Sequence, residues 1–239
     1  MFETFLIKPL YNGFIYLIGV MPSGDVGFAI IALTVLVRAV FYPAFAASIR
    51  TQMGMQAAQA ELDEINKKYK DDAEERARQT LNLYKEKKIR PFAGILALLV
   101  QLPIFIALYF ALFREGLPHV AEKLLYPFVS VPQTINVNFL GILDLLHNHN
   151  ILLSVLVGLL QYGVAYISVA RIKSSGSTVP KEKQMAQQMQ QNMMLYMFPA
   201  MMAFISYTLP AAVGLYFVAT NLISIAQELL IRRELRQGR

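Results

Sequence analysis

Apolar residues in this chain gather in long runs instead of alternating with polar ones. Five runs can be read as membrane-crossing helices, at about 26–49, 92–113, 151–170, 193–207 and 212–231. Only "TLPAAVG" separates the last two, and Pro210 cannot continue a helical hydrogen-bond ladder, so a tight hairpin is expected there. The fourth run is short: some 15–17 residues, or roughly 24 Å against a hydrocarbon core of about 30 Å. A span of that length invites local thinning of the bilayer.

Between the first two runs the pattern changes. "RTQMGMQAAQAELDEINKKYKDDAEERARQTLNLYKEKKIRP" reads as two charged helices joined near "KDDAEE", with Asp71 capping the second and Glu74 three residues on. Leu62, Ile65 and Tyr69 on one arm are expected to meet Ala77, Leu81 and Tyr84 on the other, a helical hairpin with a thin apolar seam. Such a hairpin serves either as a solvated connector or as a docking arm for cytoplasmic partners. The opening residues, "MFETFLIKPLYNGFIYLIGV", depart from a signal peptide because Glu3 comes first and Lys8 interrupts the apolar run. A helix lying in the membrane interface, turning near Pro9, fits them better.

The expected fold class is all-α: a polytopic membrane protein with five transmembrane helices around a hydrophilic groove, a cytoplasmic helical hairpin and an N-terminal interfacial helix. Its parts are the interfacial helix at 1–24, the first span at 25–49, the hairpin at 50–90, the second span at 91–114 and an external loop at 115–149. The third span follows at 150–171, a cytoplasmic loop at 172–191, the fourth and fifth spans at 192–232, and a cytoplasmic tail at 233–239.

Composition agrees. Of 239 residues, 56% are hydrophobic and 16% charged, against about 45–50% and about 25% in soluble domains. There is no cysteine, which excludes disulfides, thiol chemistry and a lipidated cysteine. The net charge of +6 matters less than its placement. Ten Lys and Arg lie in 50–90, four in 171–190 and four after Ile231, whereas the opposite side holds Lys8, Arg114 and Lys123. Eighteen against three puts the N-terminus outside and the C-terminus in the cytoplasm.

Catalytic chemistry finds little support. No GxxxxGK[ST] phosphate cradle is present, and the spans carry no Asp or His near their middles. Ser154, Ser168, Ser206 and Ser224 are isolated and lack a base, so they read as helix-packing or back-bonding serines. "DLLHNHN" brings Asp144, His147 and His149 close together, but the spacing is loose for a metal. A polar loop capping the third span at Asn148 or Asn150 fits better. No enzyme activity, cofactor or metal is expected, and the absence of a repeat between the halves weakens an inverted-repeat transporter reading.

Arg38 is the anomaly. It lies near the midpoint of the first run, with no acid beside it in "IIALTVLVRAVFYPAFA". Its guanidinium keeps its proton, and leaving it in hydrocarbon costs ~2.5–3.5 kcal/mol on insertion scales. On a straight helix it is ~18 Å from either end, too far to snorkel. Water is then its remedy, which calls for a hydrated cavity reaching membrane depth; the alternative is an arginine tied to backbone carbonyls in a closed core. Thr34 shares its helical face one turn earlier, and Gln101, Gln161, Tyr216, Thr220 and Asn221 place polar groups in other spans. A second oddity is a methionine stripe at Met185, Met189, Met193, Met197 and Met201, with Met194 and Met202 beside it. Ordinary lipid-facing or core packing explains it, while its cytoplasmic start suits capture of varied apolar partners.

Three stretches carry a family resemblance: "GFAIIALTVLVRAVFYP", "QLPIFIALYFAL" and "NMMLYMFPAMMAFISYTLPAAVGLYFVATNLISIAQE". Together they resemble the YidC-type membrane protein insertases of the YidC/Oxa family, from about Gly24 to Arg233, in a minimal five-span bacterial form. The resemblance implies a groove open to cytoplasm and lipid but sealed toward the outside, with Arg38 as its arginine and Thr34, Gln101, Gln161, Tyr216, Phe217 and Asn221 as groove residues. Phe217 stands where relatives often carry Tyr or Trp, which keeps the stacking surface and loses a hydrogen-bonding handle. The extra N-terminal span and large periplasmic domain of many relatives, a lipoprotein cysteine and a long basic tail are not seen. The implied function is insertion of small membrane proteins, without ATP, in the bacterial plasma (inner) membrane. Expected partners are nascent membrane proteins and the lipid bilayer, with the ribosome and the Sec translocon as further candidates and no direct nucleic-acid substrate. The competing readings are a small-anion channel or carrier with Arg38 as its selectivity charge, and a purely structural assembly chaperone with a closed core.

Overall fold

The computed structural model describes residues 8–89, 105, 109, 117–169, 188–189 and 191–237. Helix α1, Lys8–Val20, places Tyr11, Phe14, Ile15 and Ile18 on one face, the i, i+3, i+4, i+7 stripe of a packed amphipathic helix. That stripe is buried against α2, Val26–Val40. Asp25 caps α2: its Oδ1 accepts from the Gly27 and Phe28 N–H groups at 2.7 and 3.3 Å.

The first expected span does not run straight. Helix α2 ends at Phe41, and α3, Tyr42–Ala57, leaves at 67°. Pro43 is the physical cause. It has no N–H to give the Ala39 carbonyl, and its ring crowds that carbonyl, so a helix continuing from α2 cannot pass through it. Arg38 therefore sits in the last turn of α2 and not at the midpoint of one long helix.

Helices α4, Gln59–Lys68, and α5, Ala73–Glu86, form the charged hairpin. The cap of α5 is Asp72, one residue after the expected Asp71, accepting from Glu75 N at 2.9 Å. The seam is also shifted. Leu62, Ile65 and Tyr84 are in it, joined by Ala58, Leu83 and Ile89, whereas Leu81 and Ala77 are exposed. Helix α5 closes in a Schellman motif, with Ile89 N donating to Tyr84 O at 2.8 Å and Lys88 N to Lys85 O at 3.2 Å.

Residues 117–150 hold the one strand pair among the described residues. Strands β1, Asn138–Phe139, and β2, Leu143–Asp144, are antiparallel, with Asn138 opposite Asp144. Leu140 and Gly141, at their turn, have φ of 55° and 72°, the sign pattern of a type I′ turn. A leucine in that region costs about 1–3 kcal/mol. The pair lies against α2: Phe139 packs on Phe28 with ring centroids 5.2 Å apart, and a Cβ on Gly27 would come within 2.1 Å of the Phe139 ring.

Helix α6, Ile151–Val169, is capped by Asn150, whose Oδ1 accepts from Leu153 N at 2.9 Å. A π-helical turn, Met193–Met197, leads into α7, Phe198–Thr208. Pro199 withholds the N–H that Leu195 would receive, which favours the wider turn. Leu209 and Pro210 make the expected tight hairpin into α8, Ala211–Gln237. Small residues let these helices close: a Cβ on Gly214 would lie 2.8 Å from Ser206 Oγ, and one on Gly158 3.1 Å from Ala203 Cβ.

Among the described residues, α6 over Ile151–Ser168 and α8 over Ala211–Glu234 are long and apolar enough to cross a membrane. The α2–α3 pair is a third candidate in bent form, and Met193–Thr208 is a shorter apolar helix. The second expected span, 91–114, falls outside the described residues except for Phe105 and Tyr109, both helical.

Candidate functional site

The bend at Phe41 brings α3 back across Arg38. The Phe45 ring lies 4.2 Å from the guanidinium carbon, a cation–π contact. From α8, Gln227 Oε1 accepts from Arg38 Nη1 at 3.2 Å, and Gln227 Nε2 donates to the Arg38 carbonyl at 3.4 Å. That carbonyl belongs to the last turn of a helix, where no in-helix donor follows. One amide thus serves both the charge and the break. Arg38 is 6% exposed, so the protein supplies most of its surroundings. Sequence reasoning left water as its remedy; the fold adds an amide 189 positions away and an aromatic ring.

The other candidates divide between helices. Thr34 is buried, and its Oγ1 donates to Ile30 O at 2.7 Å within its own helix. Tyr216, on α8, is fully buried against α1 and α2 and lies within electrostatic reach of Arg38. Phe217 stacks on Phe105, with centroids 6.3 Å apart and rings 13° from parallel, which puts that one residue of the second expected span beside α8. Asn221 is buried, and its Nδ2 has no hydrogen-bond partner among the described residues. Gln161 sits half-buried on α6. Gln101 lies outside the described residues.

Two polar residues of α8 were missed by a sequence inventory that stopped at Asn221. Gln227 is one. The other is Glu228, a carboxylate buried inside the fifth apolar run. Its Oε1 accepts from Arg232 Nη2 at 2.6 Å, and the same Nη2 donates to the Ile167 carbonyl, tying α8 to the end of α6. The signal was the i, i+4 spacing of Glu228 and Arg232 in "QELLIR".

Two of the four serines are back-bonding, while Ser206 is buried at the close approach of α7 and α8 and its Oγ has no hydrogen-bond partner among the described residues. Ser154 and Ser224 donate to carbonyls four residues earlier, at 2.7 and 2.8 Å. In "DLLHNHN" main-chain bonds tie the loop to the α7–α8 hairpin, Ala211 N donating to His147 O and His149 N to Tyr207 O, each at 2.9 Å, while the Asp144 carboxylate accepts from Leu146 N and the His149 ring packs on Tyr207. Of the methionine stripe, Met189, Met193, Met194, Met197 and Met201 are exposed, and Met202 packs between α6 and α8. Gln188, Met189, Asn192, Met193, Tyr196 and Met197 line an open recess of about 690 Å³.

These features sit on a chain whose residues 19–238 match the family model described as 60Kd inner membrane protein. The chain belongs to that family. A "Membrane protein insertase YidC" of Saccharophagus degradans (strain 2-40 / ATCC 43961 / DSM 17024) is 30% identical over 238 residues, covering 99% of this chain and 37% of that protein. One of the same name from Francisella tularensis subsp. novicida (strain U112) is 31% identical over 210 residues, covering 88% of this chain and 33% of that protein. The chain thus spans about a third of the length of the curated relatives it matches. Membership of the 60Kd inner membrane protein family agrees with the YidC/Oxa resemblance carried by the Arg38, "QLPIF" and "GLYFVATNL" segments.

Proposed function

We propose that this chain acts as a membrane protein insertase in a bacterial inner membrane, moving polar N-terminal tails of small membrane proteins part-way across and releasing their apolar segments to lipid. The observation that carries the reading is the permanent charge of Arg38, kept inside a helical membrane protein of this family at a break between two helices. A cationic side chain held at depth lowers the cost of bringing an acidic tail there. Around it, Tyr216, Thr220 and Gln227 fall on one stripe of α8, and Asn221 adds a buried amide. In this reading Arg38, Thr34, Gln101, Gln161, Tyr216, Phe217 and Asn221 line a hydrated groove among five spans, open to the cytoplasm and sealed outside.

The sequence of events follows from solvation. A nascent segment meets the charged hairpin and the Met-lined recess, where flexible thioethers accept varied apolar shapes. Its tail enters the groove toward Arg38, and the short fourth span thins the bilayer ahead of it. The apolar segment then leaves into lipid, with transfer at ~25 cal/mol/Å² as the driving force and no ATP. Lys and Arg placement gives the N-terminus outside and the C-terminus inside, where the ribosome and the Sec translocon are candidate partners.

The test is insertion of paired substrates, one acid-tailed and one neutral-tailed, into proteoliposomes. Arg38→Ala is expected to cut acid-tailed insertion about tenfold, the loss of one charge-assisted contact. Undiminished insertion of the acid-tailed substrate overturns the role of the charge. Steady anion conductance in planar bilayers without any substrate protein would point instead to the channel reading.

A further inference from the structure

We propose that the turn of the β1–β2 hairpin, carrying Leu140 and Ile142, inserts into the lipid interface at the membrane face where α2 and α8 begin. Ile142 is 87% exposed and Leu140 58%. Water favours Asn-Gly or Asp-Gly in a turn with two positive φ angles; this chain has Leu-Gly there, flanked by Phe139 and Ile142. Two exposed aliphatic side chains at a strained turn fit an apolar medium. The turn is also fixed at the right level. Leu140 N donates at 3.1 Å to Oδ2 of Asp25, the carboxylate that caps α2. The Phe139 ring then runs along the first turn of α2 at Gly27 and Phe28. Phe28, Val35 and Leu36 are exposed at i, i+7 and i+8, one apolar strip of α2 that the turn extends at its upper end. On the same segment Phe128 is exposed and stacked on Tyr126, with Lys8 Nζ 5.3 Å from the Tyr126 ring, the mixture of aromatic and cation found at membrane interfaces.

The occupant is therefore lipid at the boundary of headgroup and acyl chain. The cysteine-free chain makes the experiment clean. Ile142→Cys, and Gln133→Cys as an exposed polar site on the same segment, are each labelled with an environment-sensitive fluorophore. Both are reconstituted in vesicles of phosphatidylethanolamine and phosphatidylglycerol. A label ~5–10 Å into the boundary should emit to the blue, with quenching by a shallow lipid nitroxide roughly threefold greater than at Gln133→Cys and protection from iodide. Equal iodide quenching at the two sites, without lipid-nitroxide quenching at Ile142→Cys, overturns the proposal. So does protection from both quenchers together with cross-linking of two chains, which would make a second copy the occupant. Arg38 takes no part, so this outcome and that of the insertion test are independent.

Discussion

At the scale of single residues, the pairing of Arg38 with Gln227 shows what an amide does that a carboxylate cannot. Gln227 gives the guanidinium an acceptor and gives the Arg38 carbonyl a donor, while adding no charge of its own. Replacing it by Leu removes both contacts in a buried place, and a hydrogen bond to a charged group is worth about 1.5–3 kcal/mol. Gln227→Leu should therefore lower thermal stability in detergent, read by the unfolding midpoint. Gln227→Glu supplies a counter-charge instead. It should unfold later than the Leu variant, yet show a smaller ratio of acid-tailed to neutral-tailed insertion than the wild type. An unchanged ratio in Gln227→Glu would separate the amide from the charge it touches. None of this was legible in the apolar run around Arg38, because the partner comes from 189 positions away. Tyr216 and Asn221 were visible as polar interruptions of a hydrophobic run, but the direction in which each points depends on the packing of α8.

At the scale of elements, proline placement separates what local sequence reveals from what it conceals. Pro210 lies between two runs, and the hairpin it makes was plain. Pro43 lies within a run whose hydropathy is continuous, so the 67° bend was hidden although its cause is equally local. Pro43→Ala should reduce that angle and move Phe45 off the guanidinium; distances between spin labels on Val26 and Met55 would lengthen. Helix phase is the other concealed quantity. Moving the α5 cap from Asp71 to Asp72 goes with a seam through Leu83 in place of Leu81. Asp72→Ala should cost about 1 kcal/mol, seen as faster hydrogen exchange in the first turn of α5. Gly27→Ala tests the strand pair. Alanine favours helix, but its methyl would collide with Phe139, so a net loss of about 1–3 kcal/mol from overpacking is expected in unfolding measurements.

At the scale of the whole molecule, the described residues form a helical protein around three apolar clusters. One joins α1, α2 and the start of α8 to residues 117–145; a second lies inside the α4–α5 hairpin; a third lies between α6 and α8. The hairpin cluster is separate from the other two, with Arg50 and Glu234 linking α3 to α8 at 3.2 Å near its base. Long apolar runs and the lopsided charge count made the membrane class and the helical architecture readable from sequence. The strand pair escaped because its turn lacks the usual polar signature and its strands are two residues each. At the opposite end from the hairpin, residues 134–149 are stitched to the helix ends mostly through main-chain atoms: Asn136 to Gly24 and Val26, Leu145 to Ala212, His147 to Ala211 and His149 to Tyr207. A rim fastened in that way is indifferent to much side-chain drift but sensitive to spacing. Inserting or deleting a single residue there would throw several fastenings out of step at once, so natural variation along this stretch should run to changes of letter and seldom to changes of length.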